Sequence, residues 1–191
     1  ILGWLLSDFS AIRLIQVIQG AAMVTMILNF VAVWKQEVRD PKLTAPHLVR
    51  PAFRTQWDAL MREGRTARLL VATGLGAAGF AMQDVLLEPY GAEVLGMSVG
   101  TTTSLTALWA IGTIGGFTLA AGQLTRQGEP HRLAGYGAVV GILAFAMVVM
   151  GGAITSSLLF CLGVFFIGMG GGLFSVGTLT AAMALARDGQ S

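Results

Sequence analysis

Charge is scarce in this sequence. Charged residues make up 12% of 191 positions, with 12 Lys or Arg against 10 Asp or Glu, about half the ~25% usual in a soluble domain. The net charge of +2 is too small to point to an acidic partner, and nucleic acid is not an expected one. Cysteine is nearly absent. Cys161 is the only one, which excludes an internal disulfide framework and a paired-thiolate metal site; set in an apolar run, it reads as a small packing residue. The two histidines, His47 and His131, both fall in expected loops. With no HExxH, no paired-Cys motif and no plausible Ser-His-Asp set, no active site is expected and the chain does not read as an enzyme. The opening Ile1-Leu2-Gly3-Trp4-Leu5-Leu6 has no basic region before it, so no cleavable signal peptide is expected. It also lacks an initiator methionine, and the chain is expected to begin inside a longer protein.

What is abundant is apolar residue in long runs. Apolar types fill 54% of positions and mean hydropathy is +0.72. Roughly 20 apolar residues in a helix cross a hydrocarbon core of ~30 Å. Five such runs occur, at about Ile12 to Trp34, Leu69 to Leu87, Thr101 to Leu124, Leu133 to Gly152 and Ser156 to Ala186. Lipid offers backbone groups no hydrogen-bond partner, so each must be helical. The expected fold class is an all-α polytopic membrane protein. The fifth run is long enough to be tilted, broken near its glycines or continued as an interfacial turn.

Orientation follows from the basic residues. Lys35, Arg39, Lys42, Arg50, Arg54, Arg62, Arg65 and Arg68 lie between the first two spans, Arg126 and Arg132 between the third and fourth, and Arg187 after the fifth; Arg13 alone sits at an opposite end. Positive charge marks the cytoplasmic side. The 35–67 segment and the final residues are therefore expected to be cytoplasmic. Pro41, Pro46 and Pro51 make the first half of that segment irregular or extended. Its second half reads as an amphipathic helix with Phe53, Trp57, Leu60 and Met61 on one face and Arg54, Asp58, Arg62 and Arg65 elsewhere. Such a helix lies in the lipid headgroup layer or packs beneath the bundle.

Small residues recur at helical spacing in Gly112/Gly116, Gly137/Gly141 and Gly168/Gly172, a pattern that lets helix backbones approach closely. The run Gly168-Met169-Gly170-Gly171-Gly172 marks either tight packing or a kink. It is not a phosphate loop, since no Lys-Ser/Thr follows.

The polar residues that stand out are in Gln83-Asp84-Val85-Leu86-Leu87-Glu88-Pro89-Tyr90-Gly91. Asp84 and Glu88, four apart, share a helix face. A charge at mid-membrane costs about 2.5–3.5 kcal/mol and faces a cavity, a partner or a pathway. The pair lies toward the outer end of the second span, where Pro89-Tyr90-Gly91 is expected to close the helix and Glu88 can reach water. Gln16 and Gln19 share a face of the first span, which also carries Asn29; they are positioned to bond a neighbouring helix or a polar ligand. Thr101-Thr102-Thr103-Ser104 suits a helix start with hydroxyls capping free amides. Glu93 is expected in a solvated outer loop.

The 83–91 string, continuing through Glu93-Val94-Leu95-Gly96-Met97-Ser98-Val99-Gly100-Thr101-Thr102, closely resembles the PucC/LhaA family. Leu14-Ile15-Gln16-Val17-Ile18-Gln19-Gly20 and Trp34-Lys35-Gln36-Glu37-Val38-Arg39-Asp40-Pro41 resemble it too. The resemblance covers essentially the whole chain. It implies the major facilitator superfamily fold, twelve spans in two six-helix halves, of which this chain holds a part. Residues 1–34 would then carry the last helix of the first half, 35–67 the cytoplasmic link, and 68–191 the first four helices of the second half.

The implied function is assembly of purple-bacterial light-harvesting complexes, the core antenna favoured over the peripheral one. The chain would bind or deliver bacteriochlorophyll, antenna polypeptides or the reaction centre–antenna complex, in the bacterial inner (intracytoplasmic photosynthetic) membrane. Gln83, Asp84, Glu88, Gln16 and Gln19 are the candidate contacts to pigment or a polar ligand, the first three through the pigment's polar substituents or its magnesium. Neither histidine falls inside a span where it would ligate that magnesium. The loop Gly122-Gln123-Leu124-Thr125-Arg126-Gln127-Gly128-Glu129-Pro130-His131-Arg132 resembles the superfamily's cytoplasmic motif only loosely, because Arg126 stands where an acidic residue is expected. Two alternatives stay open: a proton-coupled transporter of a small solute titrating at Asp84 or Glu88, and a structural subunit that binds no pigment.

Overall fold

The computed structural model of the protein describes residues 10–34, 52–62 and 64–188. The expectations for Pro41, Pro46, Pro51 and His47, and for the side chains of Leu60, Arg65 and Arg187, lie outside the described residues. Among these residues the secondary structure is entirely helical, and five helices are long and apolar enough to cross a membrane. The chain divides into two units, residues 1–63 and 64–191.

In the first unit, α1 (Ala11–Val33) begins at Ser10, whose hydroxyl accepts from the Arg13 amide at 3.2 Å, satisfying one of the free amides of a helix start. Two of its polar side chains bond back onto their own backbone. Thr25 Oγ1 donates to the Ala21 carbonyl and Asn29 Nδ2 to that of Thr25, both at 2.9 Å, which removes two donors from hydrocarbon without another helix. Helix α2 (Phe53–Arg62) is amphipathic, as its spacing predicts. Phe53 and Trp57 stack with ring centroids 5.9 Å apart, while Arg54, Asp58 and Arg62 are exposed.

The second unit holds α3 (Gly64–Leu95), α4 (Val99–Thr125), α5 (Pro130–Ala153) and α6 (Ser157–Asp188). Helix α6 is the axis of this unit. Phe160, Val164 and Ile167 on it are fully buried, against Leu87 of α3, Leu105 of α4 and Ala144 and Val148 of α5. Glycine lets α4 and α5 come this close. A Cβ at Gly172 would sit 2.7 Å from the Thr113 carbonyl oxygen of α4, and one at Gly170 would sit 2.8 Å from that of Gly137 of α5. The glycine run therefore serves backbone-to-backbone packing on two sides. It introduces no break, and α6 is continuous over 32 residues.

Two expectations about helix ends are corrected. Pro89 does not close α3, which runs on to Leu95. Proline forfeits one amide bond and crowds the carbonyl four residues back, but the turn beyond it is held by packing. Tyr90 stacks on Phe160 with centroids 5.9 Å apart, and Gly91 is buried beside Leu105, Met97 and Phe160. The stop comes at Gly96, whose φ of 62° is the left-handed conformation glycine adopts freely, with the Met97 amide donating to the Gly91 carbonyl at 3.1 Å. Glu93 thus lies on the helix, exposed, and not in a loop.

At the start of α4, Ser98 is the cap, accepting from the Thr101 amide at 3.4 Å. The Thr102 and Thr103 hydroxyls donate back to the Val99 carbonyl at 3.0 and 2.8 Å, and Ser104 to that of Gly100 at 2.9 Å. They satisfy their own protons inside the helix instead of capping free amides.

The other two connections are tight. Gly128 donates to the Gln123 carbonyl at 3.0 Å and Gln127 to that of Leu124 at 3.2 Å; Ser156 donates to Gly151 at 2.8 Å and Thr155 to Gly152 at 3.2 Å. Both are paired C-terminal closures of the Schellman type, with Gln127 at φ 61° and Thr155 at φ 52° in the position glycine usually fills. Helix α5 then starts at Pro130, a residue suited to the first helical position. This draws His131 into the helix's first turn, a correction to its expected place in a loop.

Candidate functional site

Three of the five sequence-selected polar residues come together. Gln83, Asp84 and Glu88 of α3 line a pocket of about 180 Å³ with Leu87 and with Leu105, Thr106 and Trp109 of α4. The register of α3 explains the grouping. Buried Gln83 and Leu87 are four apart on the packed face, and Asp84 and Glu88 follow each by one position, about 100° further round the helix. This puts both carboxylates at the edge of the α3–α4 contact, where they are exposed.

Each carboxylate has a neutral donor. The Gln83 amide donates to Asp84 Oδ1. Thr106 Oγ1 donates to Glu88 Oε1 at 2.7 Å, an ordinary distance for a hydroxyl donor. No Lys or Arg occurs between Arg68 and Arg126, so these carboxylates have no cationic neighbour in sequence along α3 beyond Arg68 or anywhere on α4. Two carboxylates on a membrane helix, held by an amide and a hydroxyl, accept hydrogen bonds, a proton or a cation from outside that stretch. No group of three or more His, Cys, Asp or Glu that could hold a metal ion occurs among the described residues.

Gln16 and Gln19 belong to α1, where both are exposed. Thr106 and Trp109 were not singled out by the sequence. The signal was present, since Thr102, Thr106 and Trp109 repeat at helical spacing toward α3, but hydroxyls are common in membrane helices and nothing in the pattern marks one as a carboxylate's partner.

All of residues 1–191 match the family described as PUCC protein. The chain belongs to that family. Among its PUCC-family and other curated relatives, it is 46% identical over 191 residues to protein PucC of Rhodovulum sulfidophilum, covering 98% of this chain and 42% of that one. It is 45% identical over 192 residues to an uncharacterized protein in the puhA-bchM intergenic region of Rhodobacter capsulatus, covering 100% of this chain and 40% of that one. A more distant likeness, 28% over 196 residues, is to the bacteriochlorophyll synthase 44.5 kDa chain of Rhodobacter capsulatus, covering 99% and 44%. The chain thus spans somewhat under half the length of these relatives. No solved structure matches it.

Proposed function

We propose that this PUCC-family chain is part of a light-harvesting assembly factor of purple bacteria, binding bacteriochlorophyll, antenna polypeptides or both. The observation that carries the reading is the family match across residues 1–191. The relative named as a bacteriochlorophyll synthase chain supports pigment as the ligand. The core antenna is the favoured client, and the photosynthetic inner membrane the location, with residues 35–67 and the C-terminal end in the cytoplasm. In this reading α1 closes the first half of a major facilitator fold, residues 35–67 link the halves, and α3 to α6 open the second half. Gln83, Asp84 and Glu88 contact polar groups of pigment or client at the α3–α4 pocket, and Gln16 and Gln19 are separate candidate polar contacts on α1.

The polar pocket supports a second reading, a proton-coupled transporter of a small solute. Two carboxylates on a membrane helix are the pattern of a coupling site. Both readings are tested by purifying the full-length protein gently from photosynthetic membranes, recording its absorption spectrum and identifying co-purifying proteins. Pigment retained after antenna subunits are stripped supports direct handling. A colourless protein still bound to antenna leaves a scaffold. A colourless protein with no antenna partner, showing substrate-dependent proton flux lost in Asp84→Asn, establishes the transporter.

A further inference from the structure

A second, larger cavity lies along α3, α5 and α6, away from the two carboxylates. It encloses about 550 Å³ and is walled almost wholly by apolar residues of the first half of α3 and of α5, with Phe174 and Thr178 of α6. That size and character suit a small-molecule site, where a few polar groups fix orientation. Here the polar lining is His131 and Thr178, and the Thr178 hydroxyl already donates to the Phe174 carbonyl at 2.8 Å. His131 is the one titratable side chain in the wall.

The glycines of this cleft fall into two kinds. A Cβ at Gly76 would collide with the ring of Phe174, and one at Gly141 would meet the ring of Phe80 at 2.5 Å. These two seat an aromatic wall in which Phe80 lies 5.6 Å from Phe174 and 6.4 Å from Phe145, centroid to centroid. Gly79 and Gly135 also line the cleft, yet a Cβ on either would meet nothing within 4 Å. Helix packing within this unit does not require their small size, and both leave open space in the cleft. Along α5 the wall runs from His131 to Phe145, a length on the order of 20 Å at 1.5 Å per residue. An imidazole at one end of a long apolar slot suits a flat, metal-centred ring that carries a hydrocarbon tail. Imidazole nitrogen is the commonest protein ligand for metals.

We propose that His131 would ligate the magnesium of a tetrapyrrole pigment whose tail would lie in the α3–α5 cleft beside Gly79 and Gly135. This rests on the pigment-handling reading above and gives it a site: the magnesium goes to His131, and the Asp84–Glu88 pocket keeps only polar contacts. Pro130 at the first helical position, with its preset φ, starts the helix one residue before His131.

The test is titration of the full-length protein in detergent with bacteriochlorophyll and with its magnesium-free counterpart, followed by absorption and by resonance Raman bands that report magnesium coordination number. The wild type is expected to bind the magnesium pigment roughly tenfold or more tighter than the metal-free one, a difference of about 1.4 kcal/mol or more. His131→Leu should erase that preference and the five-coordinate signature, lowering affinity for the magnesium pigment far more than for the metal-free one. Gly135→Leu, which fills open space and strains nothing described, should weaken both. If pigment binds but the magnesium preference survives His131→Leu, or is lost instead in Asp84→Asn, this assignment is wrong and the pigment reading stands. If neither pigment binds while antenna subunits co-purify, pigment handling itself fails. If Gly135→Leu unfolds the pigment-free protein, the cleft is filled by another part of the polypeptide and the proposal is overturned.

Discussion

Gly115 and Gly116 are neighbours on α4 and should respond in opposite senses to the same substitution. A Cβ at Gly116 would collide with the Met169 carbonyl oxygen of α6 and meet the Gly172 Cα and the Leu173 nitrogen at 3.1 Å, whereas a Cβ at Gly115 would meet nothing within 4 Å. Replacing glycine by alanine inside a helix stabilises by roughly 0.5–1 kcal/mol through the unfolded chain's lost freedom. That gain is common to both positions and cancels in their difference. What is left at Gly116 is the overpacking. Bringing 3.1 Å contacts out to the usual 3.5–4.0 Å separates the two backbones by about 0.5–1 Å, which forfeits a quarter to a half of each dispersion well. Over roughly 20 atom pairs at 0.1–0.2 kcal/mol each, the loss is about 0.5–2 kcal/mol; adding residual strain gives the 1–3 kcal/mol typical of overfilled sites. Gly116→Ala should therefore be about 1–3 kcal/mol less stable than Gly115→Ala, read as the difference in reversible unfolding of the full-length protein in bicelles. Equal stabilities would refute the backbone contact between α4 and α6.

Thr155→Gly should raise stability by about 1 kcal/mol, because a β-branched residue at φ 52° carries strain that glycine does not; an unchanged melting temperature would remove that strain from the account. Thr106→Val should cost about 0.5–1.5 kcal/mol, the net worth of one hydrogen bond to Glu88, and a double-mutant cycle with Glu88→Gln should show a smaller coupling than one with Glu88→Ala. For topology, single cysteines introduced into a cysteine-free version of the full-length protein should label from the cytoplasmic side at Glu129 and from the opposite side at Thr155. Labelling of both from one side would contradict the reading of the basic residues.

Much of the architecture was legible because lipid restricts the choices. A membrane run must be helical, so five apolar stretches translate directly into α1 and α3 to α6. The small-residue spacing likewise pointed to close backbone approach on α4, α5 and α6, though not to which helix meets which. Ends were harder to read. Pro89 is a local stop signal that lost to tertiary packing of Tyr90 and Gly91, and Thr155 occupies a left-handed turn position with no glycine to mark it. The candidate site was half legible. Carboxylates are conspicuous against an apolar background, but Thr106 is not, and His131 looked like a loop residue because its helix begins only one position earlier.

The manner in which α6 meets its neighbours divides labour among the four helices. With α4 and α5 it is joined backbone to backbone through glycine, a fit that permits little sliding because any displacement drives carbonyl into carbonyl. With α3 it meets mostly through rings, Phe80 on Phe174 and Tyr90 on Phe160. The seat of α3, and with it the position of Asp84 and Glu88, therefore depends on side-chain packing more than on backbone contact.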